Sequence, residues 1–445
     1  MDDNLKHIVL VLFLALNTIV LSAQAPVALT LDEAIEYAWQ NSNEMKNAQL
    51  NIRDAEERII ENRAAGIPQL TAGADYTRYF QRPLVQLPES FFPPDQPVSD
   101  EDREVSFVLQ NNFNANLNLD ALIFDGTYIT ALKAAKKYRK YVEEDLRVKR
   151  RTVRNQVIDA YLPVLLIDKN LEILQSNLSN VQKLRDETAA LYQEGFAEQL
   201  DVDRLDLSLA NLKVEQENLD RRREIALNLL KFALNVPEGE DIRLTEDLEK
   251  IGFDLADEDL TGQINTAARP EVQYANAGIE LSDLNIQVNK MGYLPTLSGF
   301  AGYTAAFQGN DEEGGFWAPT GLFGFRLNVP IFDGWDKKAK IQRARISKEI
   351  SLNQLDDLER SIRLEVNNGR KAYQTAKESL AAQERNLQLA ERIYNTTQIK
   401  YREGVGSSLE VNQAEQSLYN SQANYIQALY DLTLARIELR KALGK

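Results

Sequence analysis

The chain has 445 residues, a net charge of −16, no cysteine and a single histidine, His7. Without cysteine it can form no disulfide, iron–sulfur cluster or thiolate metal site. The negative charge argues against nucleic acid as the main partner. The sequence carries no phosphate-binding glycine loop, nucleophile elbow or paired acid–base constellation. We therefore expect neither an enzyme activity nor a cofactor or metal site.

An apolar segment covers residues 8–21 near the start of the chain. It is shorter than the ~20 residues that a membrane-spanning helix needs, and its length is typical of a signal peptide. Ala23 and Ala25 offer small residues for cleavage. We predict a signal peptide over 1–25, the alternative being a buried N-terminal helix. No later run of about 18 apolar residues follows, so a membrane-embedded part would have to be a β-barrel.

The first predicted helix starts at a capping box formed by Thr30 and Glu33. It continues until Gly66 and Pro68 end it. Beyond this point the apolar positions alternate instead of following the helical period. The alternation predicts a strand over about 69–81.

After an acidic, proline-rich loop, a second strand is predicted over about 105–119. One of its faces is rich in asparagine: Asn112, Asn114, Asn116 and Asn118. The other face is apolar and includes Phe113, Leu117 and Leu119. A surface sheet with one wet face is the alternative, but asparagine is a poor strand former. A water-filled lumen explains the pattern better, because polar-in, apolar-out alternation is typical of outer-membrane barrel strands.

A long helix is then predicted over about 127–194, followed by a shorter one over about 198–234. The long helix carries mostly large apolar side chains at heptad spacing, as a coiled-coil seam requires. These positions are Val157, Val164, Leu171, Leu178, Arg185 and Tyr192. Gly195 then ends the helical pattern. The two helices should therefore form a hairpin with its tip at Gly195 and Phe196.

The same order of elements recurs in the second half of the chain. A helix over about 260–291 precedes strands over about 296–308 and 316–329, and a second long helix follows. Its heptad positions are Val366, Tyr373, Leu380, Leu387, Tyr394 and Tyr401. The duplication predicts two structural repeats, 26–250 and 251–445.

The second hairpin tip repeats the chemistry of the first. Gly404 ends the long helix, and Val405 and Gly406 follow it. Ser407 and Glu410 have the spacing of a capping box, which predicts the start of the last helix.

This order of elements resembles the TolC family of outer-membrane efflux channels over nearly the whole chain after the signal segment. The resemblance rests on the Gly-x-Pro and Gly-x-x-Pro helix ends at Gly66 and Gly292, the Phe-Asp-Gly steps at Phe124 and Phe332, and the duplicated Tyr-x-x-Gly tips. It implies a mainly α fold with a membrane β-barrel contribution. Long α-helical hairpins would form an α-barrel, and the four predicted strands of each protomer would join a barrel closed by trimerisation.

The resemblance also implies a function, the outer-membrane exit duct of a tripartite efflux or type I secretion system. Such a duct is a passive homotrimeric conduit surrounded by outer-membrane lipid, with a long periplasmic extension. A periplasmic adaptor links it to an inner-membrane transporter of the RND or ABC type. The competing hypothesis is a periplasmic coiled-coil adaptor or scaffold, which would lack paired amphipathic strands between its helices.

Within the family, the hairpin tips form the periplasmic mouth and contact the adaptor. By motif position, the tip residues here are Gly195, Phe196, Gly404, Val405 and Gly406. The family's mouth residues correspond to Tyr401, Asp201, Glu410 and Gln413. Tyr401 and Asp201 would form a hydrogen-bonded link that holds the hairpins together, unless Tyr401 is simply a core residue of the seam. Glu410 would belong to an acidic ring, Gln413 occupies the next ring position, and Gly406 replaces a latch arginine.

Overall fold

A computed structural model describes residues 27–93, 99, 101–237, 239–249, 251, 257–311 and 314–444. The predicted signal peptide, 1–25, lies outside these described residues. The chain divides into two compact units, each built from separate stretches of sequence. The helical unit comprises the described residues of Met1–Leu50, Asp145–Gln273 and Asp357–Lys445, and the sheet unit comprises those of Asn51–Glu144 and Tyr274–Asp356.

Helices make up most of the described chain. They are α1 (Leu31–Asn41), α2 (Asn43–Ala64), α3 (Gly126–Gln193), α4 (Gln199–Leu234), α5 (Asp257–Thr261), α6 (Pro270–Met291), α7 (Asp336–Arg402) and α8 (Ser408–Leu443). The strands are β1 (Val27–Leu29), β2 (Gln69–Arg78), β3 (Val85–Gln86), β4 (Glu104–Val105), β5 (Asn111–Phe124), β6 (Ile242–Leu244), β7 (Thr296–Asn310) and β8 (Gly314–Asn328). Within the described ranges, none of the helices combines the length and apolarity needed to cross a membrane.

The first predicted helix begins at its capping box but is divided in two. The Thr30 side chain accepts a hydrogen bond from the Glu33 backbone N–H, and the Thr30 N–H donates to Glu33 Oε2 at 2.8 Å. Ser42 then leaves the helical conformation, with φ −63° and ψ 140°. Its hydroxyl accepts from the Met45 N–H at 3.3 Å. A serine in this position satisfies a free amide of the next helix, so the chain restarts as α2 at once.

The sheet unit contains an antiparallel sheet in the order β2-β5-β7-β8. Within the described residues, β2 and β8 pair with one neighbour each, so they are the edges of the sheet. β5 starts at Asn111, later than the strand predicted from residue 105. The residues before it, Glu104–Val105, instead pair with Val85–Gln86 in a separate small hairpin. Alternation alone does not distinguish one strand from two that are separated by a bend.

The largest core of the helical unit lies around the middle of α3. Tyr161 is fully buried there, and its hydroxyl donates to the backbone carbonyl of Leu29 at 3.0 Å. β1, which contains Leu29, pairs in parallel with β6. The apolar residues Val157, Leu162 and Leu230 surround this point. A second cluster lies closer to the helix ends at Gly195 and Gly404, and it includes Val181 of α3, Tyr394 of α7 and Val411 of α8.

Candidate functional site

The sheet separates polar and apolar side chains onto its two faces. The register pairs Asn112, Asn114, Asn116 and Asn118 with Thr77, Asp75, Gly73 and Thr71 of β2, and with Gln308, Ala306, Thr304 and Gly302 of β7. Because side chains alternate between the faces of a strand, these residues share one polar face.

Glycines on the neighbouring strands make room for the asparagine side chains. A Cβ atom at Gly73 would lie 2.6 Å from Asn116 Oδ1, and one at Gly302 would lie 3.2 Å from Asn118 Oδ1. Asn114 donates from its amide to Asp75 Oδ2 at 2.9 Å. The polar face is therefore a packed layer of hydrogen-bonding groups, and the sequence analysis missed the contribution of these two glycines.

The opposite face of the same sheet is apolar and open to its surroundings. The register places Phe113 beside Phe307, and Phe307 beside Trp317 of β8. The rings of Phe113 and Trp317 meet edge to face, with centroids 6.2 Å apart. Further along β8, Phe323 is 83% exposed. An exposed apolar face of this extent marks a surface that contacts lipid or another protein.

The first hairpin, formed by α3 and α4, turns at a glycine. Gly195 has φ +80°, a backbone conformation that glycine adopts without steric cost. At the start of α4, the Glu198 N–H donates to Asp201 Oδ2 at 3.3 Å, and the Asp201 N–H donates to the backbone carbonyl of Glu198 at 3.1 Å. The turn leaves Phe196 82% exposed at the tip.

The second hairpin, formed by α7 and α8, has the same turn with a different cap. Gly404 has φ +75°, and the Ser407 hydroxyl accepts from the Glu410 N–H at 3.3 Å. The carboxylate of Glu410 and the amide of Gln413 are exposed on α8. Val405, at the tip, is 78% exposed. Each hairpin therefore ends in an exposed apolar side chain that its backbone turn holds in place.

The structure gives Tyr401 and Asp201 different partners within one protomer. The hydroxyls of Tyr401 and Thr188 lie 3.2 Å apart and share a hydrogen bond between α7 and α3. The hydroxyl of Ser408 donates to Asp201 Oδ1, which joins α8 to α4. The predicted Tyr401–Asp201 link is therefore absent from these contacts of the protomer, and each residue instead ties one hairpin to the other.

Thr188, Ser408 and a third polar residue, Glu415, were not among the site residues predicted from the sequence. All three are buried, and burial raises the pKa of Glu415 to about 7. The sequence does contain one indication that Glu415 is buried, because it falls between Val411 and Leu418 on the apolar side of α8. A carboxylate at such a position is uncommon, since a charged group is rarely buried without a partner.

The described part of the chain contains no group of three or more His, Cys, Asp or Glu side chains arranged to hold a metal ion. What the geometry offers instead is a two-faced sheet and two hairpins joined by side-chain hydrogen bonds.

Comparison with known proteins identifies the family that the chain resembles. The family model "Outer membrane efflux protein" matches residues 34–236 and 263–445. The probable efflux pump outer membrane protein TtgC of Pseudomonas putida is 26% identical over 328 residues, which cover 68% of this chain and 67% of TtgC. The pyoverdine export outer membrane protein OpmQ of Pseudomonas putida is 23% identical over 417 residues, which cover 93% of this chain and 85% of OpmQ.

A solved structure has the same fold. The CmeC outer membrane channel of Campylobacter jejuni aligns with a TM-score of 0.73 at 17% identity, over 93% of this chain and 85% of CmeC. The likeness confirms the predicted fold class of long helical hairpins with four strands per protomer. A periplasmic adaptor or scaffold, the competing hypothesis, does not fit these relatives. Since the family model covers most of both halves of the chain, this protein belongs to the outer membrane efflux protein family, the TolC family of outer-membrane channels.

Proposed function

We propose that the chain is the exit duct of an export system and works as a homotrimer in the outer membrane. The observation that carries this proposal is the four-stranded sheet, with two unlike faces and with β2 and β8 at its edges. An unpaired strand edge is not tolerated in lipid, because its backbone groups find no hydrogen-bond partners there. Pairing β8 of one protomer with β2 of the next removes every edge when the ring closes.

Three copies give a ring of the right size for a duct. Two copies would contribute eight strands, and a barrel of about eight strands is filled by its own side chains. Three copies contribute twelve strands and leave an open interior. The asparagine face would line that interior and hydrogen-bond to water, while the face of Phe113, Trp317 and Phe323 would contact lipid.

The hairpin tips are the proposed docking surface for a periplasmic adaptor. Phe196 and Val405 are exposed apolar side chains beside glycine turns, and exposed apolar residues can serve as anchors of protein interfaces. Gly195, Gly404 and Gly406 keep the turns narrow, so that a partner helix can approach the backbone closely.

The cargo would be small organic molecules handed over by an inner-membrane transporter. TtgC and OpmQ are named for an efflux pump and for pyoverdine export, which supports this class of cargo. The chain itself carries no nucleotide-binding motif. The energy for transport would therefore come from the partner, and this chain would conduct passively.

The oligomeric state tests the proposal. We expect the mass of the detergent-extracted full chain to be that of a trimer, and chemical crosslinking in outer-membrane fractions to reach the same size. A stable monomer that inserts into bilayers by itself would contradict the proposed closure of the sheet.

The orientation of the sheet can be tested with single cysteines, because the chain has none of its own. Asn116→Cys should react with a membrane-impermeant thiol reagent through the lumen, whereas Leu117→Cys should be protected by lipid. The two positions are adjacent on one strand and differ only in the face that they occupy. Labelling at Leu117→Cys but not at Asn116→Cys would show that the faces are reversed.

The docking surface can be tested at the tips. Val405→Asp should abolish export and crosslinking to the adaptor, since an unpaired charge would be buried at the contact. Val405→Ala keeps the turn uncharged and is the matched control, with a smaller loss expected. Export by a trimeric Val405→Asp channel at the level of the unsubstituted protein would exclude this tip as an anchor.

A further inference from the structure

Glu415 is a buried carboxylate without a visible means of compensation. Its side chain is 7% exposed, and its Oε1 atom has no hydrogen-bond partner among the described residues. It borders a cavity with room for about one water molecule, formed by α3, α4 and α8. The other lining residues are Asn177, Ser208, Leu212, Asn412, Gln416 and Tyr419.

The first hairpin shows what the second one lacks. The alignment of the repeats that matches Tyr192 with Tyr401 also matches Asp206 with Glu415 and Arg185 with Tyr394. Arg185 Nε donates to Asp206 Oδ1 at 2.8 Å, in a partly exposed ion pair. The second hairpin also has a carboxylate at this position, but it is buried, and a tyrosine stands where the first hairpin has the arginine.

Within the part of the chain that the structure describes, the charged and titratable groups around Glu415 do not supply a cation. Tyr394 of α7 is coupled to Glu415, and Tyr419 of α8 lines the same cavity. Beyond Tyr394, Arg402 of α7 lies 3.5 Å from Glu187 of α3 and forms an ion pair with it.

On the remaining helix, α4, the charge of Glu215 acts on Tyr419. Burial, followed by the charge of Glu415, raises the pKa of Tyr394, so this phenol stays protonated and neutral. The ionised form of Glu415 would therefore face two phenols, Tyr394 and Tyr419, and it would lack a basic partner among the described residues.

We propose that Glu415 is a proton-controlled switch that sets how tightly the second hairpin packs against the first. When protonated, the carboxyl is neutral and can remain among α3, α4, α7 and α8. When ionised, it needs more water than the roughly one molecule that the cavity can hold, and fuller hydration requires α8 to move away from its neighbours.

The direction of the pH dependence follows from the pKa of Glu415. In the packed hairpin this pKa is about 7, above its ordinary value of 4.5. A group whose pKa is raised by packing favours the packed state at low pH and disfavours it as pH rises through that value. The second hairpin should therefore be tight below about pH 7 and loosen above it.

Sensing pH at one hairpin goes beyond the proposed conduction of cargo. It concerns the packing of α8 within a protomer, so it holds whether or not three chains form a duct. In a duct, it would make the opening of the mouth depend on the pH of the surrounding compartment.

Hydrogen exchange followed by mass spectrometry tests the switch on the full chain in detergent. Exchange is measured from about pH 6 to about pH 8.5 and corrected for the intrinsic rate at each pH. Peptides from the start of α8 should lose protection above about pH 7, by up to about tenfold per pH unit for one released proton. The matching peptides of α4 in the first hairpin should lose none, which provides an internal control.

Two variants identify the responsible group. Glu415→Gln removes the titration while keeping the shape, so protection of α8 should become independent of pH. Tyr394→Arg gives the second hairpin an arginine where the first has Arg185, and it should lower the pKa of Glu415. Protection of α8 should then also be independent of pH over the measured range. Asp206→Asn is the matched control and should leave the pH dependence of α8 unchanged. The proposal is overturned if both hairpins follow the same pH trend, or if the trend persists in Glu415→Gln or in Tyr394→Arg.

Discussion

The two hairpins have nearly the same backbone and different side-chain chemistry. Both turn at a glycine with positive φ, at Gly195 and Gly404, and both cap the returning helix within a few residues. The first hairpin then places Arg185 and Asp206 at its surface as an ion pair. The second places Tyr394 and Glu415 in its interior. The turn is therefore a shared scaffold, whereas the buried polar groups distinguish the two hairpins.

Replacing the two matched carboxylates should give effects of opposite sign, which is the largest difference that we expect between the hairpins. Glu415→Leu at about pH 8 should stabilise the packing of α8 by about 1–3 kcal/mol, because it removes a buried, uncompensated charge. Asp206→Leu should destabilise the first hairpin slightly, because it removes a partner of Arg185. Opening free energies from hydrogen exchange measure both.

The gain from Glu415→Leu should depend on pH. The packed-state pKa of Glu415 is raised to about 7, so the charge that Leu removes is present mainly above that pH. The gain should shrink towards about pH 5, where the carboxyl is already neutral. A gain of the same size at both pH values would mean that packing, not charge, explains it.

Substituting the glycine of the turn should destabilise both hairpins by the same amount. Gly195→Ala and Gly404→Ala each force a side chain into the left-handed region, which costs about 1–2 kcal/mol. Neither glycine has another atom close to the position of a new Cβ, so no clash should add to that cost. Denaturant or thermal midpoints of the two variants should fall together. A much larger loss at one tip would show that its turn also serves a packing role.

The fold was easier to predict from the sequence than the partners of the polar residues. Glycine turns, caps and alternating strands are local patterns, so Thr30, Gly195 and Gly404 could be interpreted directly from the sequence. The division at Ser42 was missed because a serine cap can start a new helix inside an otherwise continuous apolar pattern.

The partners of Tyr401 and Asp201 could not be read in the same way. They depend on which helices become neighbours, since Thr188 is 213 positions from Tyr401 and Ser408 is 207 positions from Asp201. Glu415 was missed for a related reason. Its position on the apolar side of α8 was visible, but its lack of a cation depends on the facing residue of α7, Tyr394.

Removing the hydroxyl of Tyr401 or of its matched residue Tyr192 should have a smaller effect on stability. Tyr401→Phe keeps the ring and removes the hydroxyl that bonds to Thr188, at a cost of about 0.5–1.5 kcal/mol. Because this bond joins the two hairpins, its loss should raise single-channel conductance in planar bilayers. Tyr192→Phe is the matched control and should have little effect, since Tyr192 is 43% exposed.

Two further variants separate the possible partners of Tyr401. If the contact within the protomer matters, Thr188→Val should reproduce the conductance of Tyr401→Phe. If the family's Tyr401–Asp201 link operates in the assembled mouth, Asp201→Asn should do so instead. Unchanged conductance in all three variants would leave Tyr401 as a core residue of the seam.

The smallest effect should come from the surface ion pair of the first hairpin. Arg185→Gln removes the contact with Asp206, but exposed ion pairs contribute little and are screened by salt. Hydrogen exchange of α4 should change slightly at low salt and not measurably at high salt. A large, salt-independent loss of protection would mean that this exposed ion pair stabilises the first hairpin as strongly as a buried contact would. The two hairpins would then differ less in energy than in the burial of their polar groups.

The central claim is that this chain alone forms a water-filled passage through a bilayer. The most direct test is single-channel recording from the purified, unsubstituted protein in planar bilayers, without an adaptor or a transporter. We expect discrete conductance steps, carried by an assembly whose mass is that of three chains. A correctly inserted trimer that gives no discrete steps, even with Tyr401→Phe to weaken the closed mouth, would contradict it.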